Sequence, residues 1–236
     1  RPLRRTGPCG TGHAGTATPA RAHRSLPAGF CRLPGVFRYQ RQVYASGEAV
    51  FPDLLEALES AQESILLEFF IISKGKMWDA VHDVLRRKAA QGVDVRMIYD
   101  DVGCATGLPA QYWKTLQVEG IQAVPFNPFV PLLNLVMNSR DHRKIVVVDG
   151  KTAFTGGFNL ADEYINQKER FGYWCDTGVR LQGPAAWSFA TIFLELWASQ
   201  RPDDPRSGCL PRGAAVPGGR ADDRPCAALQ RQPGGR

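Results

Sequence analysis

An imidazole and an ammonium stand two residues apart in Arg140-Asp141-His142-Arg143-Lys144-Ile145-Val146-Val147-Val148-Asp149-Gly150. In extended backbone, side chains at i and i+2 point to the same face, so His142 and Lys144 converge. This pairing suits an anionic phosphoryl group. Lys144 neutralises charge on the equatorial oxygens, while His142 attacks or shuttles a proton. The sequence predicts that both sit at the start of a strand whose apolar run, Ile145–Val148, forms a buried, rigid platform. Phe154-Thr155-Gly156-Gly157-Phe158-Asn159 follows, a bend that brings backbone to the same spot, with Asn159 as a neutral donor to an oxyanion. Two plainer readings remain open for an isolated His–Lys pair: a solvated couple at a strand edge, or a core His satisfied by backbone. A metal site is disfavoured, because an adjacent Lys repels a cation and further ligands at suitable spacing are missing.

The elements needed to position these residues are legible from Val50 onward. PDLLEALESAQES places Leu54, Leu55, Leu58 and Ala61 on one helical face, with Pro52 expected in the first turn. ILLEFFII (65–72) is of strand length. KMWDAVHDVLRRKAAQG reads as a helix with Trp78, Val81 and Leu85 inward and Gly92 as its stop. VDVRMIYD (93–100) alternates as a strand, AQYWKTLQVEG is helical, and IQAVPF is a short strand. This alternation predicts a largely parallel sheet covered by helices. Asp149-Gly150 between KIVVVD and KTAFTG is a hairpin signal. CDTGVRLQ (175–182) reads as a further strand, and PAAWSFATIFLELWA (184–198) as a last helix laying Trp187, Ile192 and Leu196 on the sheet.

Charge is unevenly placed. Residues 1–24 hold five Arg and no acid, and residues 201–236 hold seven Arg against four Asp, so residues 25–200 carry −2 of the chain's +6. A slightly acidic core argues against a nucleic-acid groove, which needs Lys and Arg along the backbone track. Three segments follow: an Arg/Gly/Pro-rich tail (1–34), an α/β domain (35–200), and a Pro/Gly/Arg-rich tail (201–236). Both tails are expected to be disordered. The tails have two readings, polybasic anchors for anionic lipid or linker and truncated sequence; an initial Arg in place of Met favours a fragment or processed product. Six cysteines, Cys9, Cys31, Cys104, Cys175, Cys209 and Cys226, lack C-x-x-C spacing and support neither zinc nor a disulfide framework. The uncharged run 120–139 is broken by Pro125, Pro128 and Pro131 and is no membrane span. It reads as a loop that roofs a pocket, dips into a lipid surface or packs on the domain.

The spacing H-x-K-x4-D followed by G-G-x-N resembles the signature of the phospholipase D superfamily. SGEAVFPDLLEALESA, ILLEFFIISKGKMWDAV, AAQGVDVRMIYDDVG, FNPF, DHRKIVVVDGKTAFTGGFNLADEYIN and RFGYWCDTGVRLQGPAAWS resemble the N-terminal catalytic half of bacterial cardiolipin synthases, over roughly residues 30–198. The resemblance implies an α/β phospholipase D-like fold with a mixed, largely parallel sheet flanked by helices on both faces, carrying a single HKD half. It implies phosphatidyl transfer through a phosphohistidine intermediate, two phosphatidylglycerol giving cardiolipin and glycerol, with no metal and no cofactor. It also implies a location at the bacterial cytoplasmic membrane surface.

Residue by residue, His142 matches the nucleophile or acid/base His, and Lys144 the phosphate-binding Lys. Asn159 matches a second phosphate ligand, with Gly157 at the close backbone approach beside it. Asp176 matches the acid that orients the imidazole. Asp149 completes the motif and is read as fixing the hairpin rather than reaching the phosphate. Arg140 and Glu68 are candidate headgroup contacts, and Asp100-Asp101 candidate pocket residues. Neither His13, His23 nor His82 has a Lys two residues on, so this is one half of a two-motif site. The second half must come from a homodimer partner or a missing C-terminal half. The alternatives are a homodimeric single-motif phosphodiesterase and an inert fragment.

Overall fold

The computed structural model describes residues 39–128 and 139–202. The expectations for both tails and for the centre of the apolar loop fall almost wholly outside those residues. So do those for Cys9, Cys31, Cys209, Cys226, His13 and His23.

The architecture is one seven-stranded sheet in the order β1-β7-β6-β5-β2-β3-β4. The strands are β1 (Gln40–Tyr44), β2 (Ser64–Phe69), β3 (Asp94–Asp100), β4 (Gln122–Phe126), β5 (Ile145–Val148), β6 (Thr152–Gly156) and β7 (Gly178–Gln182). The helices are α1 (Gly47–Ser60), α2 (Lys76–Ala90), α3 (Asp101–Cys104), α4 (Tyr112–Val118) and α5 (Pro184–Gln200). The expected helices on both faces are present. Leu54, Leu58, Trp78, Val81, Leu85 and Leu116 pack on one face, and Ala190, Phe193, Leu194 and Trp197 of α5 on the other.

The sheet corrects the largely parallel expectation. Only β2 with β3 and β3 with β4 run parallel, and the other four pairings are antiparallel. The physical reason is the Asp149-Gly150 hairpin. It sends β6 back along β5, and β5 itself docks antiparallel on β2 with Ile65 opposite Val148 and Glu68 opposite Ile145. Two smaller corrections concern helices. Ser46 caps α1 through its side chain, so Pro52 lies inside the helix rather than in its first turn. On α5 the fully buried face is Ala186, Ala190, Phe193, Leu194 and Trp197, while Ile192 and Leu196 pack at its margin.

Asp149 is the keystone of the hairpin. Its φ of 51° is left-handed, a conformation that Asp tolerates better than most residues. Its carboxylate accepts backbone N–H groups from Glu63 at 2.8 Å, Ser64 at 2.9 Å and Gln62 at 3.1 Å. These bonds tie the turn to the start of β2, the strand that β5 must pair with. Asp149→Ala leaves those donors without their acceptor and adds left-handed strain. A destabilisation of about 2–3 kcal/mol in urea unfolding is expected, with the fold of the surviving native state unchanged.

Candidate active site

His142 and Lys144 precede β5 rather than opening it. Residues 139–144 have no regular structure, and the ladder begins at Ile145. The pair nevertheless converges as alternation requires. Lys144 Nζ lies 3.1 Å from His142 Nδ1 and donates to the His142 carbonyl at 2.7 Å. Phe70, just past β2, forms the floor of the site. Its ring centroid is 4.6 Å from the His142 ring, and Lys144 Nζ stands 5.4 Å from it. Nothing in the motif pointed to Phe70; the doubled Phe69-Phe70 at the end of a strand was the available signal.

Exposure divides the pair. His142 is exposed, whereas Lys144 is buried with its ammonium against the aromatic floor. Burial pulls the Lys144 ammonium down to about 8, against the opposing fields of Asp141 and Asp176. A charged ammonium only donates, so with Lys144 protonated His142 Nδ1 is the acceptor and the ring proton resides on Nε2. In that tautomer Nε2 carries the proton and is a hydrogen-bond donor, not a free nucleophile.

The Gly156-Gly157 bend brings Asp176 to this site. A Cβ on Gly157 would stand 2.5 Å from Asp176 Oδ1, so the carboxylate occupies space that only glycine leaves free. Asp176 accepts from Trp174 Nε1 at 2.5 Å, and its field reaches Lys144 and Tyr164. It makes no hydrogen bond to His142 here. The Gly157 N–H donates to the Thr177 carbonyl at 3.0 Å. Asn159 is buried and engaged on both sides. Its Oδ1 accepts from Ile71 N at 3.0 Å and its Nδ2 donates to Tyr164 Oη at 2.8 Å. Tyr164 and Trp174, with ring centroids 4.9 Å apart, form an aromatic wall that the motif reading missed.

The structure places other predicted residues elsewhere. Asp149 follows the far end of β5, about 20 Å of extended chain from His142. Glu68 is not positioned as a headgroup contact: it is fully buried on the sheet face opposite Lys144. Arg140 is likewise drawn inward, to Asp100 Oδ1 at 3.3 Å and the Asn127 carbonyl at 3.2 Å. The causes differ: strand alternation turns Glu68 to the rear face beside Ile98 and Ile145, whereas Arg140 is drawn there by the buried Asp100 carboxylate. Asp100 also accepts from the Asp141 and Gly103 amides. Asp101 instead lines a cavity of about 780 Å³ with Tyr99, Cys104, Leu108 and Trp113; none of His142, Lys144, Asn159 or Asp176 borders it.

Among the described residues, no group of three or more His, Cys, Asp or Glu is placed to hold a metal ion. Within that same set the other imidazole is His82, stacked on Trp78 with centroids 5.3 Å apart and paired with Glu119. Among the described residues Cys104 is a buried free thiol, and no helix is long and apolar enough to cross a membrane. The arrangement thus offers an exposed imidazole over a buried cation, with one carboxylate behind a glycine bend.

Comparison with known proteins gives a consistent result. A family model described as "Cardiolipin synthase, PLD-like domain" matches residues 54–197. An uncharacterized protein of Streptococcus mutans is 44% identical over 160 residues, which cover 68% of this chain and 35% of that protein. A cardiolipin synthase of Staphylococcus aureus is 38% identical over 164 residues, covering 69% of this chain and 33% of the enzyme. The chain therefore spans about a third of the length of these relatives. Among solved structures, a phosphatidylserine synthase of Haemophilus influenzae is similar with a TM-score of 0.51 at 16% identity, over 70% of this chain and 37% of that one, a likeness of fold.

The buried lysine sets a pH limit on anion binding. With dimethyl phosphate, a diester whose charge stays constant across the range, affinity followed by NMR should hold below pH 8 and fall above it as Lys144 loses its proton. Lys144→Ala should weaken binding about tenfold or more and abolish that alkaline decline.

Proposed function

Because this chain belongs to the family of cardiolipin synthase PLD-like domains, we propose that it supplies one half of a phosphatidyl-transferring site. Phosphatidylglycerol is the substrate and the bacterial cytoplasmic membrane the place. In this reading His142 Nε2 attacks the phosphodiester phosphorus and the P–O bond to the departing glycerol breaks. A second imidazole, from another copy or a complementary half, gives its proton to that glycerol oxygen. A hydroxyl of a second phosphatidylglycerol then attacks the phosphohistidine, losing its proton to the same imidazole, and cardiolipin leaves.

The observation that carries the proposal is the exposed His142 ring bonded to the buried Lys144 ammonium. A family whose chemistry is phosphodiester exchange gives that pair its meaning. Lys144 holds charge where the equatorial oxygens develop it, and a site of low polarity strengthens that interaction. For His142 Nε2 to attack, the ring proton must move to Nδ1. Asp176, whose field reaches Lys144, is the carboxylate we assign to receive that Nδ1–H once the ring turns from Lys144, and it would stabilise the imidazolium that forms. Asn159 and Gly157 act in this account by setting the bend and the wall rather than by touching phosphate.

The test incubates the purified chain, and its His142→Ala variant, with phosphatidylglycerol in detergent micelles and separately with single-stranded DNA. Light scattering records the oligomeric state. The proposal expects cardiolipin and glycerol, lost by at least a thousandfold in His142→Ala, from a preparation containing dimers. DNA cleavage with no cardiolipin would replace it with the phosphodiesterase reading. No reaction on either substrate from a dimeric preparation would make the isolated chain inert.

A further inference from the structure

Behind the catalytic segment, on the face covered by α5, Glu68 is completely buried in the middle of the sheet. It shares that face with Leu66 of its own strand, and its cross-strand neighbours are Ile98 on β3 and Ile145 on β5. Its charged company is brief. Arg143 Nε lies 2.6 Å from Glu68 Oε1 and 2.9 Å from Asp141 Oδ1. The single Nε–H is aimed at Asp141, and both Glu68 oxygens are left with no hydrogen-bond donor directed at them. Asp141 is itself buried and close enough to Glu68 to form a side-chain hydrogen bond with it.

Two carboxylates and one half-exposed guanidinium cannot all stay charged in such a place at low cost. An unpaired buried anion costs several kcal/mol, and a proton removes it. A proton on Glu68 also supplies the missing donor, an O–H directed at Asp141. The remaining titratable neighbours do not alter this. On β3, the buried Arg96 is paired with Asp94 at 2.7 Å and lies over Trp197, and Asp100 is held by Arg140 and the Asp141 and Gly103 amides; β4 and β5 carry no ionisable side chain; α5 carries Glu195 alone, which is exposed.

We propose that Glu68 and Asp141 share one proton and, with Arg143, form a clasp that positions His142 and Lys144 from the opposite face of the sheet. The clasp acts where no strand ladder does. Residues 139–144 are irregular, and alternation sends Asp141 and Arg143 rearward while His142 and Lys144 point forward. Burial pushes the Glu68 carboxyl up to about 9, with Asp141 adding to the rise and Arg143 opposing it. Folded chain therefore keeps a proton that unfolded chain releases near its ordinary value of 4.5. Stability from this group is full below that value and declines as the pH rises towards 9. Glu68 and Asp141 are positioning residues, and the inference rests on His142 and Lys144 being the reactive pair.

The test needs no turnover, so its failure is separable from failure of the proposed activity. Thermal melts of the full chain and of Glu68→Gln are compared at pH 5, 7 and 9, with the His142 ring signals followed by NMR. Gln keeps a neutral donor and has no proton to lose. Glu68→Gln should match the parent at pH 5, exceed it by about 5 °C or more at pH 9, and keep the parent's His142 ring shifts. Glu68→Ala, or Asp141→Asn should Glu68→Ala fail to fold, should shift or broaden the His142 signals. Parallel melting curves for parent and Glu68→Gln would overturn the shared proton. Unchanged His142 shifts in Glu68→Ala or Asp141→Asn would overturn the clasp.

Discussion

The segment carrying His142 is held by side-chain carboxylates rather than by a β-ladder, and the site depends on that substitution. β5 pairs with β2 only from Ile145 onward. Upstream of it, Asp100 takes the Asp141 amide and the Arg140 guanidinium, while Asp141 takes the Arg143 amide and side chain. Each of these bonds pulls an odd-facing or flanking group to the rear of the sheet. The even-numbered His142 and Lys144 are thereby presented at the front, over Phe70. A regular strand would fix the same alternation, but it would bury His142 between neighbours. Ending the ladder early leaves the imidazole in solvent, where a large substrate can approach, while its backbone remains anchored.

The same division explains the electrostatics. Lys144 is buried enough for its proton to be held less tightly than usual, yet it is bonded to the His142 carbonyl and ring. An anion entering the site restores full charge to the ammonium, so binding and protonation reinforce one another. On the far face the situation is inverted: acids outnumber bases, and a proton is retained. The sheet thus separates a front that gains from negative charge and a rear that must shed it. We read the front as the phosphate side of a phosphatidyl transferase half-site, incomplete without a second imidazole.

Much of this was legible in the sequence, for physical reasons that can be named. An apolar run of strand length located β2, because both its faces are buried, and alternating or helical apolar patterns located β3, α2 and α5. Asp149-Gly150 located the hairpin, and the H-x-K spacing located the front pair. Strand direction was not legible. Alternating strands and helices predicted a largely parallel sheet, but nothing local in Ile145–Val148 says which edge of β2 it will join or in which sense. The edge strand Gln40–Tyr44, exposed at all but its last residue, has no apolar alternation to betray it. Glu68 and Arg140 were misplaced as headgroup contacts because a charge within a motif region reads as facing substrate. Their true partners, Asp141 and Asp100, lie far away in the chain or on a neighbouring strand, and only tertiary structure joins them. Asn159 and Asp176 were assigned through the family resemblance, yet their hydrogen-bond partners Tyr164 and Trp174 are ordinary aromatic residues whose positions depend on where the Gly156-Gly157 bend delivers them.

The central claim, that His142 is the atom-bonding residue of a phosphatidyl transfer, is tested most directly by trapping the intermediate. The chain is mixed with phosphatidylglycerol, quenched under alkaline denaturing conditions that preserve phosphohistidine, and digested. The peptide containing His142 is then weighed by mass spectrometry. A phosphatidyl adduct on His142 is expected, and it should disappear on adding excess acceptor alcohol. A preparation that forms cardiolipin while His142 remains unmodified, or that carries the adduct on another side chain, would contradict it.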